Sequence, residues 1–235
     1  MAIILNDTIS SDEILGKTEQ HLHFIDEHLA IHKAMVSAFK SLKKAALSDG
    51  FTISVASGFR SFERQEMIWN SKFLGTKPVK DNQGNNIDIT QLCDIDKAHA
   101  ILLYSALPGA SRHHWGCDID IYAQNLLPEG QQPQLEPWEY EDTGPFATLS
   151  TWLEQNAHSF DFYFPYNQYR EGVAAEPWHI SFAPLSHAYE QAFQLDLLVS
   201  CLAHSSVAGK QVIIDNIEKI AQRYIYNVNQ GKFNL

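Results

Sequence analysis

The chain has 235 residues, 45% of them hydrophobic and 19% charged, which is material for one globular domain with or without an appendage and excludes an extended disordered chain. Its formal charge of -11 comes without any cluster of lysine and arginine, which argues against nucleic acid or an anionic membrane as partner and leaves a small ligand or a peptide. No apolar run approaches the roughly 18 residues of a membrane span, the first residues lack a basic region and a cleavage site, and Cys93, Cys117 and Cys201 form no Cys-x-x-Cys pair, so a cytoplasmic protein with reduced thiols is expected. Residues 1–27 read as an N-terminal extension packed on the body. Over 28–47 the residues Ile31, Met35, Ala38, Phe39, Leu42 and Ala46 recur at helical spacing and Gly50 follows as a stop, which predicts an amphipathic helix. Residues 51–56 alternate and are rich in β-branched side chains, as a strand should be. Ser61 to Arg64 has capping-box spacing and opens a helix to about residue 73.

Residues 75–92 read as a loop by composition, and 94–106 as a helix that ends before Pro108. A second loop spans 124–144, with Pro128, Pro133 and Pro137 among five acidic residues. A helix over 146–157, strands over 160–164 and 178–182, and helices over 187–203 and 207–227 complete the chain. The order predicts an α+β fold, a small, largely antiparallel sheet flanked by helices, with a body at 28–185 and a helical C-terminal appendage at 186–235.

The chemistry concentrates in Ser111-x-His113-x-x-Gly116-x-x-x-Asp120. An imidazole and a carboxylate seven residues apart are acceptable zinc ligands, and a catalytic zinc takes three protein ligands and leaves one position open. The third candidate lies downstream in Glu176-Pro177-Trp178-His179. A third stretch, Ser57-Gly58-Phe59-Arg60-Ser61 with Gln65 nearby, adds an arginine at the end of a predicted strand.

In this order the three stretches resemble the zinc D-alanyl-D-alanine carboxypeptidases of the vancomycin-resistance, VanY-like type, in the wider group that includes lysostaphin-like endopeptidases and the hedgehog signalling domain. The likeness runs from about residue 28 to about 185. It implies one zinc per chain held by His113, Asp120 and His179, with Glu176 as catalytic base. It also implies that Arg60 contacts the substrate carbonyl or carboxylate, with Ser111 and Gln65 as secondary substrate contacts. The reaction implied is hydrolysis of the terminal bond of a peptidoglycan-derived D-Ala-D-Ala peptide by a zinc-activated water. An L,D-carboxypeptidase, a muropeptide endopeptidase and a non-catalytic zinc-containing peptide-binding domain are the alternatives. One departure stands out: Cys117 and Asp118 occupy positions where the family more often has small or apolar residues.

Other motifs read as decoys. His28 and His32 look like one solvated helix face, and Ser37-x-x-Lys40 and Ser41-x-x-Lys44 like chance spacing on a helix that lacks the companion elements of the serine enzymes. Glu136-Pro137-Trp138-Glu139 mimics the later motif without its histidine and reads as loop chemistry over the cleft. His114 is expected to point away from His113 if that segment is extended, and Cys117 to be a small core residue.

Overall fold

A computed structural model describes residues 9–231; the start of the expected N-terminal extension, 1–8, and the end of the expected appendage, 232–235, lie outside the described residues. In chain order the helices are α1 (Ser11–Ile14), α2 (Val36–Ser48), α3 (Phe62–Phe73), α4 (Asp94–Leu102), α5 (Pro137–Tyr140), α6 (Ala147–Asn156), α7 (Ala183–Ala192), α8 (Leu195–Ala203), α9 (Lys210–Asp215) and α10 (Ile217–Ile220). The strands are β1 (Leu22–Phe24), β2 (Ala30–His32), β3 (Ile53–Ser57), β4 (Val79–Lys80), β5 (Asn86–Ile87), β6 (Asp118–Ala123), β7 (Phe162–Tyr163) and β8 (His179–Phe182).

The main sheet has the order β3-β6-β8-β7 with every neighbouring pair antiparallel, and β1-β2 and β4-β5 are separate hairpins. This is the expected α+β architecture. Strand β6 is buried along its whole length, and its alternation divides the sheet by chemistry. Ile119 and Ile121, with Ile180 of β8, enter the core, while Asp118 and Asp120 rise on the opposite face with His179 and Ser181. One face therefore holds the fold and the other carries the polar groups.

Two apolar cores flank the polar groups. The first joins the sheet to α2, α6 and α7 through Phe39, Leu42, Leu149, Leu153 and Leu185. The second joins α3 and α4 to α8, α9 and α10 through Trp69, Ile101, Leu198, Leu202 and Ile213. The C-terminal helices thus cover α3 and α4.

Several elements differ from the sequence reading. The helix expected over 28–47 begins at Val36: Ala30–His32 is a strand, and a 3-10 turn, Lys33–Met35, follows it. Asp26 Oδ1 accepts the backbone N–H groups of His28 and Leu29 and closes the β1-β2 turn, while His32 Nδ1 accepts the N–H of Ala34. His32 is therefore buried and only His28 is solvated. The cap on α3 is one-sided, since Ser61 Oγ accepts from Arg64 N–H and an arginine at that position cannot return a bond as glutamate would. The loop over 75–92 contains the β4-β5 hairpin. The helix expected over 187–203 is two, α7 and α8, separated where Phe193 turns extended.

Candidate active site

Strand register makes the first contact. Asp120 of β6 lies opposite His179 of β8, and Ser57 of β3 lies opposite Asp120 on the other side. His113 arrives from the 3-10 turn Arg112–Trp115, which Gly116 closes at φ 70, a left-handed conformation that glycine adopts without strain.

Hydrogen bonds then aim the imidazoles. His113 Nδ1 lies 2.9 Å from the carbonyl of Gly58, which can only accept, so Nδ1 carries the proton and Nε2 presents its lone pair to the cleft, 3.4 Å from Asp120 Oδ2. His179 donates from Nε2 to Asp118 Oδ1 at 3.0 Å and turns Nδ1 toward Asp120 Oδ1 at 3.5 Å and Glu176 Oε2 at 3.0 Å. One donor atom each from His113, Asp120 and His179 falls within 4.8 Å of the others, and all three side chains are buried. Asp120 Oδ1 is buried without a hydrogen-bond partner. Two ligands of one tetrahedral zinc sit about 3.3 Å apart. The donor types, their spacing and the unpartnered oxygen fit a metal ion.

The charges agree with that fit. Burial, followed by the nearby Arg60 and His179, holds His113 well below the ordinary histidine range, so its lone pair stays free. Burial raises Asp120 to about 6, against the pull of His179. For His179 burial opposes the charged form, but the bonds to Asp118 and Glu176 prevail and push it up to about 10. The carboxylates thus draw positive charge to the point where a cation would add its own.

Arg60 follows β3, and its guanidinium donates to Gln65 Oε1 at 3.0 Å and Ser57 Oγ at 2.9 Å. Gln65 is fully buried and spends its amide on the carbonyl of Ala106 at 2.6 Å. Gln65, expected as a secondary substrate contact, thus braces Arg60 from behind. Ser111 does line the cleft, with Oγ buried and unpartnered. Glu176 is fixed by its backbone, since its N–H donates to Tyr166 O at 2.9 Å and its carbonyl accepts from His179 N–H at 3.1 Å. The cleft encloses about 390 Å³ and takes walls from both cores, with Leu102 and Leu107 on one side and Trp178 on the other.

His114 is not in an extended segment. It is fully buried, donating from Nδ1 to Arg60 O at 2.6 Å and accepting from Gly109 N–H at Nε2, 3.0 Å, so it braces the arginine loop. Cys117 is a buried small residue, as expected. Ser37, Lys40, Ser41 and Lys44 are exposed on α2. In the mimic motif, Glu139 is buried and accepts the N–H of Glu136 at 3.1 Å, and Glu136 pairs with Lys80 at 2.5 Å on the cleft wall. Sequence reasoning missed Asp118 as the partner of His179, although its position two residues before Asp120 on one strand puts both on the same face. It also missed Lys72, whose Nζ donates to Ser105 Oγ at 2.6 Å inside the cleft; one lysine on an amphipathic helix carries no signal of that.

The cleft, with a carboxylate beside a metal-fitting cluster and a fixed arginine, has the parts of a hydrolase of the peptidase class. Residues 28–185 match the family model described as VanY, D-alanyl-D-alanine carboxypeptidase, and the chain belongs to that family. It is 28% identical over 163 residues to the D-alanyl-D-alanine carboxypeptidase of Enterococcus faecalis, covering 67% of this chain and 51% of the relative. It is 42% identical over 121 residues to an uncharacterized protein of Haemophilus influenzae, covering 51% of this chain and 92% of that one. Among solved structures, VanYB in complex with D-alanine-D-alanine matches at a TM-score of 0.50 and 25% identity, covering 76% of this chain and 87% of that chain. Among the described residues no helix is long and apolar enough to cross a membrane.

Proposed function

We propose that this chain is a zinc carboxypeptidase that releases the C-terminal D-alanine of a peptidoglycan-type D-Ala-D-Ala peptide. His113, Asp120 and His179 hold one zinc, Glu176 is the base, and Arg60 and Ser111 bind substrate. The observation that carries the reading is the buried His113, Asp120 and His179 cluster, with its unpartnered carboxylate oxygen, beside Glu176. When bound, the zinc supplies Lewis acidity and brings the pKa of a water ligand to about 7.

The protein's own residues do the rest. Glu176, the carboxylate beside the cluster, takes the proton of the attacking water and delivers it to the leaving amine. Arg60, its guanidinium oriented by Ser57 and Gln65 before substrate arrives, donates to the scissile carbonyl oxygen or the terminal carboxylate. Ser111 Oγ, already desolvated and unpartnered, gains a partner when a peptide enters. The free cysteines, two of them buried, support a reducing, cytoplasmic setting, which cell fractionation tests.

The deciding experiment is incubation of the zinc-loaded protein with a muropeptide mixture, read by mass spectrometry. Pentapeptides should lose one D-alanine, and a chelator should stop the loss. Cleavage confined to tetrapeptides or cross-links would replace the proposal with an L,D-carboxypeptidase or an endopeptidase. Bound zinc with no cleavage of any muropeptide would leave a peptide-binding zinc domain.

A further inference from the structure

The departure at Asp118 leads away from the cleft. Asp118 is fully buried, and a carboxylate there needs a cation and donors to remain charged. Arg112 supplies both: its Nε donates to Asp118 Oδ1 at 2.7 Å, and its own side chain is only 5% exposed. The rest of the guanidinium is also engaged, with Nη2 donating to Tyr163 OH at 2.9 Å and Ser181 Oγ at 3.0 Å, and the ring of Trp115 lying 4.9 Å from its centre. Ser181 Oγ in turn donates to Asp118 Oδ2 at 2.9 Å. Nη1 reaches Glu190 Oε1 at 2.5 Å. Glu190 belongs to α7 and lies beyond residues 28–185, the part that the family model matches.

We infer that Glu190, Arg112 and Asp118 form a positioning relay that sets the tautomer and the donor strength of His179. Asp118 takes the Nε2 proton of His179 as a hydrogen bond, which leaves Nδ1 as the atom turned to Asp120 and the cleft. A histidine that donates its second N–H to a carboxylate is a stronger metal ligand, and loss of such a partner typically weakens metal binding 10- to 100-fold. Arg112 alone would cancel the charge of Asp118 and weaken that effect. Glu190 returns the group to a net charge of -1, so the negative end of the relay stays on the imidazole. None of the three touches the reacting atoms, and each acts through His179. Helix α7 is thereby tied to the metal site by charge as well as by packing.

This inference rests on the reading that zinc binds His113, Asp120 and His179, and its test separates the two. Zinc dissociation constants are measured by chelator competition for the wild type, Glu190→Gln, Asp118→Asn and the double variant, with a urea midpoint for each. Glu190→Gln should weaken zinc about tenfold and Asp118→Asn at least as much. Glu190→Asp should restore part of the loss, and the double variant should be no weaker than Asp118→Asn alone, because Glu190 acts only through Asp118. Glu190 is partly exposed, so its isosteric variant folds even where Asp118→Asn does not. A folded Glu190→Gln that binds zinc within twofold of the wild type, or losses that add in the double variant, would overturn the relay. Absence of zinc from the wild type would instead overturn the metal site.

Discussion

Both nitrogens of His113 are committed before any ligand arrives, one to the Gly58 carbonyl and one to the cleft. His179 is oriented by Asp118, which holds its Nε2 and leaves Nδ1 toward Asp120 and Glu176. Such preset side chains make single-residue predictions sharp. Glu176→Gln keeps the shape of the side chain and removes its basicity, so turnover should fall by about 10²- to 10⁴-fold. Zinc content should stay near one per chain by atomic absorption. Substantial activity in this variant would mean that another group is the base. Arg60→Lys tests the fork: a lysine has one nitrogen where the guanidinium uses two, one on Gln65 and one on Ser57. Its kcat/KM should drop at least tenfold while the unfolding midpoint moves little. At this scale the sequence was most informative for the His113, Asp120 and His179 cluster, because the short motifs that carry these residues end at paired strands that bring them together. It was least informative for support residues such as Gln65, whose role depends on a carbonyl far away in the chain, that of Ala106.

Strands and turns decide whether those side chains meet. The pairing of Asp120 with His179 is a matter of register, and a one-residue slip of β8 would send His179 into the apolar core. The turn before β6 packs closely on the β1-β2 hairpin, with His32 N–H donating to Gly116 O at 2.8 Å. At Gly116 a Cβ would lie 2.7 Å from Leu22 Cδ2 and 3.1 Å from the backbone N of His32, in addition to the left-handed strain. Gly50 shares a positive φ of 91 but has nothing within 4 Å of its Cβ position. Gly50→Ala should therefore cost about 1 kcal/mol of strain alone, and Gly116→Ala about 2 kcal/mol or more with a weaker hold on zinc. Thermal unfolding of the two variants checks the order, and equal losses would show that the β1-β2 hairpin yields freely. That hairpin is also where the sequence misled. Ile31 and Met35 are buried as a helix period requires, yet a strand followed by a 3-10 turn buries the same pair. The four-residue β8 was legible because Ile180 and Phe182 alternate with polar residues, whereas the two-residue β4 and β5 are too short to show a period.

Across the whole molecule, two cores meet at the cleft, and the segments around it are held by a second, buried pair of histidines. His21 and His32 lie with ring centroids 5.4 Å apart, packed against Phe59 of the arginine loop and Tyr189 of α7. Lys33 is the charge beside them, and Glu13 faces Tyr189. Burial, with Lys33 adding to it, lowers His21 to about 4, the backbone at His114 offsetting part of the fall. Burial, His21 and Lys33 together lower His32 to about 3. The sign follows from linkage: between these values and the ordinary 6.5 the unfolded chain binds protons that the folded chain refuses, so stability rises with pH. It should be complete above about 6.5 and should fall as the pH drops toward 4. The loss should be about 2 kcal/mol for each histidine once partial solvent access is allowed for. Urea unfolding of the metal-free protein from pH 7.5 to pH 4, in the wild type and in His21→Leu, isolates this contribution from that of the metal ligands. The variant should lose less stability across that range, because one of the two refused protons is gone. An identical slope would place the acid sensitivity of the fold elsewhere than at the junction of the hairpin, the arginine loop and α7.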